Sequence, residues 1–465
     1  MSMPGGMKGL FKAILSSKSG MVGVTTLVIV VGVSVFAVLY VPFDVVSKWN
    51  DPTFWQKNPR FAAPQWTSSV TNRHLPPTLR IQSEEFSKYE YYVELSGLKY
   101  VTLEARFIYD YDDFPSELSL LVSASFSEDR PLVITTLTRP DDTQAMLYRN
   151  IISNPESYFY ISSDSEIRGN VQDFLVNSGI NATGTIYPEI SLLAVKNENM
   201  ADPNRASVLK GRYKIRVDMI ASKESDTADA EFIVHGQIYG LAGTDNRRRD
   251  LFVGLVWGAP VALAFGLSAA VSTSIIQSLL GALSAWYGGI VDEAVQRVTE
   301  VYMILPFLPF LVLISIIYEI NLWLLVVIII VLSLFGGVTK TSRSVTFQVM
   351  GEQYIEAAIS YGASKLRILF VYIMPRLLPY IVANIVLAVP AFVFLEAALS
   401  VLGLGDPRVP TWGKIISDAY SGGAVMHGYW WWILMPALLI MITAMSFAFI
   451  GYALDKVVNP RLRER

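Results

Sequence analysis

Residues 351–375 read GEQYIEAAISYGASKLRILFVYIMP, a segment too polar for the core of a bilayer, and they lie between two long apolar stretches. The segment, which we call the elbow, predicts a short helix that ends at Gly362, because glycine readily adopts the backbone that terminates a helix. Ser364 is the predicted N-cap of a second helix. Small side chains at 357, 358, 362 and 363 would leave a bare patch that another protein could approach closely. We therefore expect a helix–turn–helix outside the membrane, continuous with spanning helices, on which a soluble partner could act.

The composition of the chain indicates a membrane protein. Its 465 residues are 52% hydrophobic and its mean hydropathy is +0.41, which argues against a wholly soluble protein. A spanning helix needs about 20 apolar residues, and six stretches are long enough: 21–42, 251–285, 298–318, 321–339, 377–402 and 430–454. The first stretch is too long for the core of a signal peptide, which has about 7–15 residues. We predict an α-helical polytopic membrane protein with six transmembrane helices, the first of them uncleaved.

Basic residues near the helix ends predict the orientation, because Lys and Arg are enriched in cytoplasmic loops. Such residues precede the first stretch and follow the last one: Lys8, Lys12, Lys18, Lys456, Arg461, Arg463 and Arg465. Both termini are therefore predicted to be cytoplasmic, as six crossings require. The same count places the segment from Lys340 to Arg376, and with it the elbow, on the cytoplasmic side, where ATP is available.

The segment between the first two apolar stretches has a different character. Residues 44–250 contain 29 acidic and 22 basic side chains, a net charge of −7, so the rest of the chain carries +4 of the total of −3. An acidic domain argues against nucleic-acid binding, which needs a basic patch. Alternating apolar and polar residues predict strands at 91–95, 100–109, 118–126, 132–137, 186–195, 213–220 and 231–239.

These strands predict an inserted all-β, sandwich-like domain outside the cytoplasm, with a helix near 165–178. Two roles are open for this domain. A structural or docking insert, which braces partner subunits or contacts a binding protein, is favoured. Direct contact with substrate through its many tyrosines is the alternative.

Several kinds of chemistry are missing from the sequence. The chain has no cysteine, which excludes disulfides, thiol nucleophiles and cysteine metal sites. It has no GxxxxGK[ST] motif for a nucleotide and no GxSxG motif for a hydrolase. Its three histidines are widely separated and lack the spacing of a metal site. We therefore expect no catalytic, cofactor or metal site in this chain.

The elbow resembles the EAA loop of the membrane subunits of binding-protein-dependent ABC importers, through Glu356-Ala357-Ala358, Gly362 and Pro375. From Gly243 onward the chain is similar to the DppC/OppC type of dipeptide and oligopeptide permease. The motifs that carry this resemblance are, in order, Gly243-Thr244-Asp245-Asn246 with Arg249-Asp250, Trp286-Tyr287-Gly288-Gly289 with Asp292 and Arg297, Pro306, Leu395-Glu396-Ala397-Ala398-Leu399-Ser400 with Leu402-Gly403-Leu404-Gly405, Pro410-Thr411-Trp412-Gly413, and Asn459-Pro460-Arg461-Leu462. Arg248 stands where the first pattern has a glycine, so a different turn is expected there.

The resemblance implies roles for residues of the elbow. Glu356, Ala357, Ala358 and Gly362 would form a coupling helix that sits in the groove of an ATPase. Closure of two such ATPases on ATP would then switch the passage from inward-open to outward-open. For Glu356 the alternative is an exposed carboxylate with local pairing only. The nearby residues Ser364, Lys365 and Arg367 are included in the candidate coupling site, although cytoplasmic retention already explains the two charges.

Glu396 places a carboxylate inside an apolar stretch, which is costly in a membrane and marks a functional candidate. One role for Glu396 is in a gate that pivots at a helix kink at Pro390. The other is that of a hydrogen-bonded structural residue in the frame of the passage. Asp292 and Glu319 lie near the ends of predicted spans and are expected at the membrane interface.

With the resemblance, the chain is predicted to be the non-catalytic permease subunit of an ATP-driven ABC importer in the cell membrane. The implied partners are a second, DppB/OppB-like permease, two ATPases that bind ATP and magnesium, and an extracytoplasmic substrate-binding protein. The predicted domains are a cytoplasmic N-terminus (1–20), the first span (21–42), the β-rich insert (43–242), a permease core with five spans and the elbow (243–455), and a cytoplasmic tail (456–465).

The substrate that the resemblance implies is a dipeptide or oligopeptide, with oligosaccharides or nickel as alternatives in the same architecture. Two rivals come from other classes of protein. A channel or ion-coupled carrier would need paired charges within the membrane or an inverted repeat with broken helices. A membrane-anchored adhesion or sensor protein would need only one or two spans and would leave the elbow unexplained.

Overall fold

The computed structural model describes residues 14–458 except 72, 127–128, 181–183 and 319–320. It divides into two units, which we call the helical unit (Met1–Asn50 with Val253–Arg465) and the β unit (Asp51–Phe252). Several residues of the sequence analysis lie outside the described part of the chain: Lys8, Lys12, Glu319, Arg461, Arg463, Arg465 and the motif at 459–462.

The helices are of two kinds, long apolar ones and shorter connecting ones. In chain order they are α1 (Lys18–Tyr40), α2 (Phe43–Ser47), α3 (Pro52–Trp55), α4 (Thr67–Thr71), α5 (Ser165–Asn177), α6 (Pro188–Ser191), α7 (Leu251–Tyr287), α8 (Gly289–Ile304), α9 (Phe307–Ile317), α10 (Leu322–Leu332), α11 (Gly337–Met350), α12 (Gln353–Ser360), α13 (Lys365–Val401), α14 (Trp412–Ser421), α15 (Ala424–His427) and α16 (Trp430–Val458).

Four helices of the described chain are long and apolar enough to cross a membrane, namely α1, α7, α13 and α16. The predicted spans at 298–318 and 321–339 are each interrupted by a bend. The first is bent by 76° between α8 and α9, and the second by 51° between α10 and α11. If each bent pair crosses as one span, the number of spans reaches six.

The bend between α8 and α9 follows from Pro306, because a proline disfavours the helical conformation in the residue before it. Leu305 is accordingly extended, with φ of −64° and ψ of 132°.

The β unit consists of two antiparallel sheets with a shared core. Their strands are β1 (Leu79–Ile81), β2 (Ser87–Val93), β3 (Leu98–Tyr109), β4 (Glu117–Ser125), β5 (Leu132–Thr138), β6 (Gln144–Ile151), β7 (Glu156–Tyr160), β8 (Gly211–Ala221) and β9 (Thr227–His235). The strand orders are β1-β9-β4-β7 and β2-β3-β8-β5-β6. In β3, β5 and β8 every second residue is buried, so each strand contributes one face to the core. The prediction of an inserted antiparallel β domain is confirmed.

Helix α5 confirms the helix predicted near 165–178, and Asp164 caps it by accepting hydrogen bonds from Glu166 N and Ile167 N. The strand predicted at 186–195 is wrong. Its alternating pattern contains Pro188, which occupies the first position of α6, where the missing N–H of proline costs nothing.

Candidate functional site

The elbow folds as the sequence predicts. Helix α12 ends at Ser360, Tyr361 is its C-cap, and Gly362 takes a left-handed backbone with φ of +76°. Gly362 N donates to Ile359 O at 2.9 Å, and Ala363 N donates to Ala358 O at 3.0 Å. This pair of bonds is the Schellman arrangement, which satisfies the last carbonyls of a helix and needs glycine at this position. The turn is therefore fixed by backbone geometry.

Ser364 is the N-cap of the second helix, as predicted. Its hydroxyl accepts from Arg367 N, and its carbonyl accepts from Ile368 N at 3.0 Å. The helix that begins here is α13, which continues without a break to Val401. The second arm of the elbow is thus the first part of a spanning helix.

Where the second arm passes into the span, residues Ile368–Ile373 form a π-helical turn. Pro375 has no N–H with which to bond Val371 O, the partner that an α-helix would give it. The neighbouring Met374 N donates instead to Leu369 O, five residues back. The proline of the motif therefore widens the helix locally without ending it.

The two arms of the elbow are held together by an apolar contact. Ile355 and Ala358 on α12 belong to one buried cluster with Ile368 and Leu369 on α13. The sequence predicted that Ala358 lies in a bare, accessible patch, and the structure corrects this. Its small side chain lets the two arms pack closely.

The exposed face of the elbow is made by Glu356, Ala357, Tyr361 and Gly362. Tyr361 is 92% exposed, which is unusual for a large aromatic side chain. Among the described residues Glu356 is exposed and belongs to no salt bridge. A rigid turn thus presents one carboxylate, one aromatic ring and two small residues to an external partner.

The basic residues of the elbow differ in their contacts. Lys365 Nζ lies 5.6 Å from the ring centroid of Tyr287 at the end of α7, at cation–π distance. Arg367 is exposed. Lys365 therefore also ties the elbow to α7.

An ion pair that sequence reasoning missed lies on the helices before the elbow. Arg343 on α11 binds Asp292 on α8 through two bonds, Nε to Oδ1 at 2.6 Å and Nη2 to Oδ2 at 2.5 Å. Ser284 at the end of α7 donates to the same carboxylate. Asp292 was expected at the membrane interface on its own. Its place in a motif that resembles one of the permease family was the only sequence signal, and nothing pointed to a partner 51 positions away.

The second predicted site, Glu396 with Pro390, lies far from the elbow. Glu396 is about 46 Å beyond Lys365 along α13, at about 1.5 Å per residue. It is 5% exposed and accepts a hydrogen bond from Ser400 Oγ at 2.8 Å. Thr411 is hydrogen-bonded to the same carboxyl. The structure therefore supports the structural role for Glu396 over an unpartnered gate charge, and Pro390 lies within the same helix.

Around Glu396 the motif residues bring three helices into close contact. Trp412 Nε1 donates to Leu255 O at 2.8 Å, and a Cβ added to Gly258 would lie only 2.3 Å from the indole of Trp412. A Cβ on Gly413 would lie 2.5 Å from Ala397 Cα. The two glycines are therefore required by packing between α7, α13 and α14.

Comparison with known proteins shows similarity over the helical part of the chain. Residues 277–464 match the family described as binding-protein-dependent transport system inner membrane component. The chain is 30% identical to the dipeptide transport system permease DppC of Bacillus subtilis over 222 residues, 48% of this chain and 68% of the relative. It is 32% identical to the oligopeptide transport system permease OppC of the same organism over 225 residues, 48% of this chain and 72% of the relative. It is also 33% identical to a putative peptide transport system permease of Brucella suis over 227 residues, 48% of this chain and 74% of the relative.

Proposed function

Because the chain belongs to the family of inner membrane components of binding-protein-dependent transport systems, we propose that it is the permease subunit of an ATP-driven importer of dipeptides or oligopeptides. The substrate class follows the names of its relatives. The observation that carries the proposal is the exposed face of the elbow, with its exposed Glu356 on a turn of fixed geometry. The chain itself would be non-catalytic, and ATP hydrolysis would belong to partner subunits.

The construction of the elbow supports a mechanical role. A soluble ATPase that binds Glu356, Ala357 and Tyr361 would hold α12, which packs through Ile355 and Ala358 on α13. Since α13 is continuous from Lys365 to Val401, a displacement of the elbow moves a helix about 55 Å long. The far end of this helix carries Glu396, at the place where α7, α13 and α14 pack together. The motion of the ATPases would thereby reach the opposite end of the span.

The complete assembly would contain a second permease subunit, two ATPases and an extracytoplasmic substrate-binding protein. The chain would cross the cell membrane six times, with each bent helix pair as one span. Both termini and the elbow would lie in the cytoplasm and the β unit outside, as the distribution of Lys and Arg favours.

Transport in proteoliposomes tests the proposal. The chain is purified with its second permease and two ATPases, and peptide uptake and ATP hydrolysis are measured with the binding protein present. Glu356→Arg and Gly362→Trp are each expected to abolish uptake while the protein remains in the membrane. Glu94→Arg, the same charge reversal at an exposed site of the β unit, is the matched control and should transport normally. Normal uptake in both elbow variants, with hydrolysis still coupled, would contradict the proposal.

The cargo is tested with the same preparation. Di- and oligopeptides should stimulate ATP hydrolysis and accumulate inside the vesicles, whereas oligosaccharides and nickel should do neither. Stimulation by an oligosaccharide or by nickel alone would retain the importer and reject the peptide substrate.

A further inference from the structure

Three large apolar side chains of the β unit are exposed together. Trp66 is 44% exposed, Val70 75% and Leu241 64%. Trp66 Nε1 donates to Leu241 O at 3.0 Å, which fixes the indole beside Leu241. Trp66 directly precedes α4, and Val70 lies within that helix, four positions further along the chain. We call these three residues the apolar rim.

The rim lies close to the start of a spanning helix. The first residue of α7 is Leu251, which belongs to the β unit. Its backbone N–H donates to Gly243 O at 3.1 Å. Leu241 is only two residues before Gly243, and consecutive Cα atoms are about 3.8 Å apart. Leu241 Cα is therefore within about 12 Å of the first residue of α7.

The two segments that carry the rim have no charged residue. Residues 61–71 and 236–244 contain no Asp, Glu, Lys or Arg, although about one residue in four of 44–250 is charged. A surface that leaves water for a lipid interface must not carry charges with it, because their desolvation is costly. The segments that carry the apolar rim meet this requirement.

We propose that the apolar rim rests in the interfacial layer of the lipid bilayer. The headgroup layer on each side of the hydrocarbon core is about 5–8 Å thick. Tryptophan prefers this layer, because its ring is apolar and its N–H is polar. The rim holds the β unit against the membrane surface, on whichever side that unit lies.

The absence of cysteine allows a direct test by site-directed spin labelling. Val70→Cys and Leu241→Cys, each labelled with a nitroxide in the full chain, are reconstituted into nanodiscs of phosphatidylcholine and phosphatidylglycerol. Power saturation then compares collisions with oxygen, which concentrates in lipid, and with nickel ethylenediaminediacetate, which stays in water. Leu95→Cys, in the fully exposed turn between β2 and β3, is the matched control.

At positions 70 and 241 the ratio of oxygen to nickel collisions should be several-fold higher than at position 95. Equal ratios at all three positions would overturn the proposal, because the rim would then lie in water. Low collision rates with both reagents at 70 and 241 would also overturn it, because protein would then cover the rim. Neither result depends on transport, so the outcome is separate from that of the uptake experiments.

Discussion

Arg248 occupies a left-handed backbone conformation, with φ of +66°, at the position where the resembling motif has glycine. This conformation costs a non-glycine residue about 1–2 kcal/mol. The side chain offers compensation, because its Nη1 donates to Asn58 O at 2.6 Å, its Nη2 pairs with Glu117, and its guanidinium lies 5.4 Å from the ring centroid of Tyr160. The arginine thus fastens the turn before α7 to strands β4 and β7 of the β unit.

Two substitutions at Arg248 separate the backbone cost from the side-chain gain. Arg248→Ala loses the contacts and keeps the backbone cost, so we expect a loss of about 3 kcal/mol from removal of one partner of a buried pair. Arg248→Gly loses the same contacts but relieves the backbone, so it should be about 1 kcal/mol more stable than Arg248→Ala. Thermal unfolding of the β unit in the full-length protein, followed by near-UV circular dichroism, measures the difference at about 2–4 °C per kcal/mol. A glycine variant no more stable than the alanine variant would show that the turn carries no strain.

His235 is fully buried in the β unit, with Nε2 2.9 Å from Ser119 Oγ. Burial, with nearby Arg248, Arg80 and Arg60, holds the pKa of the imidazole well below its usual value. The unfolded chain therefore binds a proton near pH 6.5 that the folded chain does not bind. The contribution of the neutral imidazole to the unfolding free energy of the β unit is therefore complete above that pH and is lost as the pH falls below it.

We predict that the β unit of the natural protein loses stability relative to His235→Gln as the pH is lowered from 7 to 5. Only one proton is involved, so the difference between the two unfolding free energies should change by at most about 1.4 kcal/mol per pH unit. Unfolding of both proteins by urea at each pH measures it. A difference in unfolding free energy that does not change between pH 7 and 5 would mean that His235 is protonated in the fold.

At the level of elements, two neighbouring alanines of the elbow differ in exposure. Ala358 packs between the arms, and Ala357 faces outward beside Glu356. Ala358→Leu should strain the contact with Ile368 and Leu369 and destabilise the helical unit by about 1–3 kcal/mol.

Ala357→Leu serves as the matched variant, because it adds the same atoms to the exposed face. It should leave the thermal stability unchanged and reduce co-purification of the ATPases. If the two variants behave alike in both measurements, the division of the elbow into a packing face and a docking face is wrong.

The features of the elbow that could be predicted from the sequence depend on neighbouring residues alone. A glycine that ends a helix and a serine that begins the next act through their own backbone and side chain, so Gly362 and Ser364 were correctly placed. The orientation of Ala358 was wrong, because it depends on the packing of α12 against α13. The pair of Asp292 and Arg343 was missed, because its partners meet only in the folded chain.

For the bends and strands too, the sequence predicted some features and missed others. Pro306 was noted as part of a motif, yet the span around it was predicted as one helix, because apolar composition does not reveal a change of direction. Alternation located most of the long strands, but it also predicted a strand at 186–195, where Pro188 begins a helix. Periodicity predicts only which residues are buried. At 186–195 the restricted backbone of Pro188 decided the local structure instead.

At the scale of the whole chain, the β unit is an insertion with its two ends joined. Thr244 N donates to Ala62 O at 2.9 Å, and Ala62 N donates to Thr244 Oγ1 at 3.0 Å. Asn58 and Arg248 exchange two further hydrogen bonds beside this pair. A domain whose ends lie side by side can be inserted into a host chain at little cost to either part. The family match begins at residue 277 and does not include this unit.

We predict that residues 51–250 fold when produced alone, because strands from both sheets contribute to one core within this segment. The fragment should unfold in one cooperative transition, with a stability of about 5–15 kcal/mol. Residues 63–242, which lack Asn58, Thr244 and Arg248, are the control and should unfold at a lower temperature. A disordered 51–250 fragment, judged from amide dispersion by NMR, would show that the β unit needs the spans in order to fold.

The complementary deletion asks whether the spans need the β unit. Because Ala62 and Thr244 are hydrogen-bonded, Ala62 can be joined to Gly243 through two added glycines in place of residues 63–242. This chain should insert into the membrane and retain the ATPases at the elbow, since the described contacts of the elbow with α7 and α13 are made by residues of the helical unit. The measurement is co-purification of the ATPases with the shortened chain, with Ala357→Leu in the same background as the control for docking. Aggregation of the shortened chain on extraction, while the full chain remains monodisperse, would mean that the helical unit depends on the insertion for its own assembly.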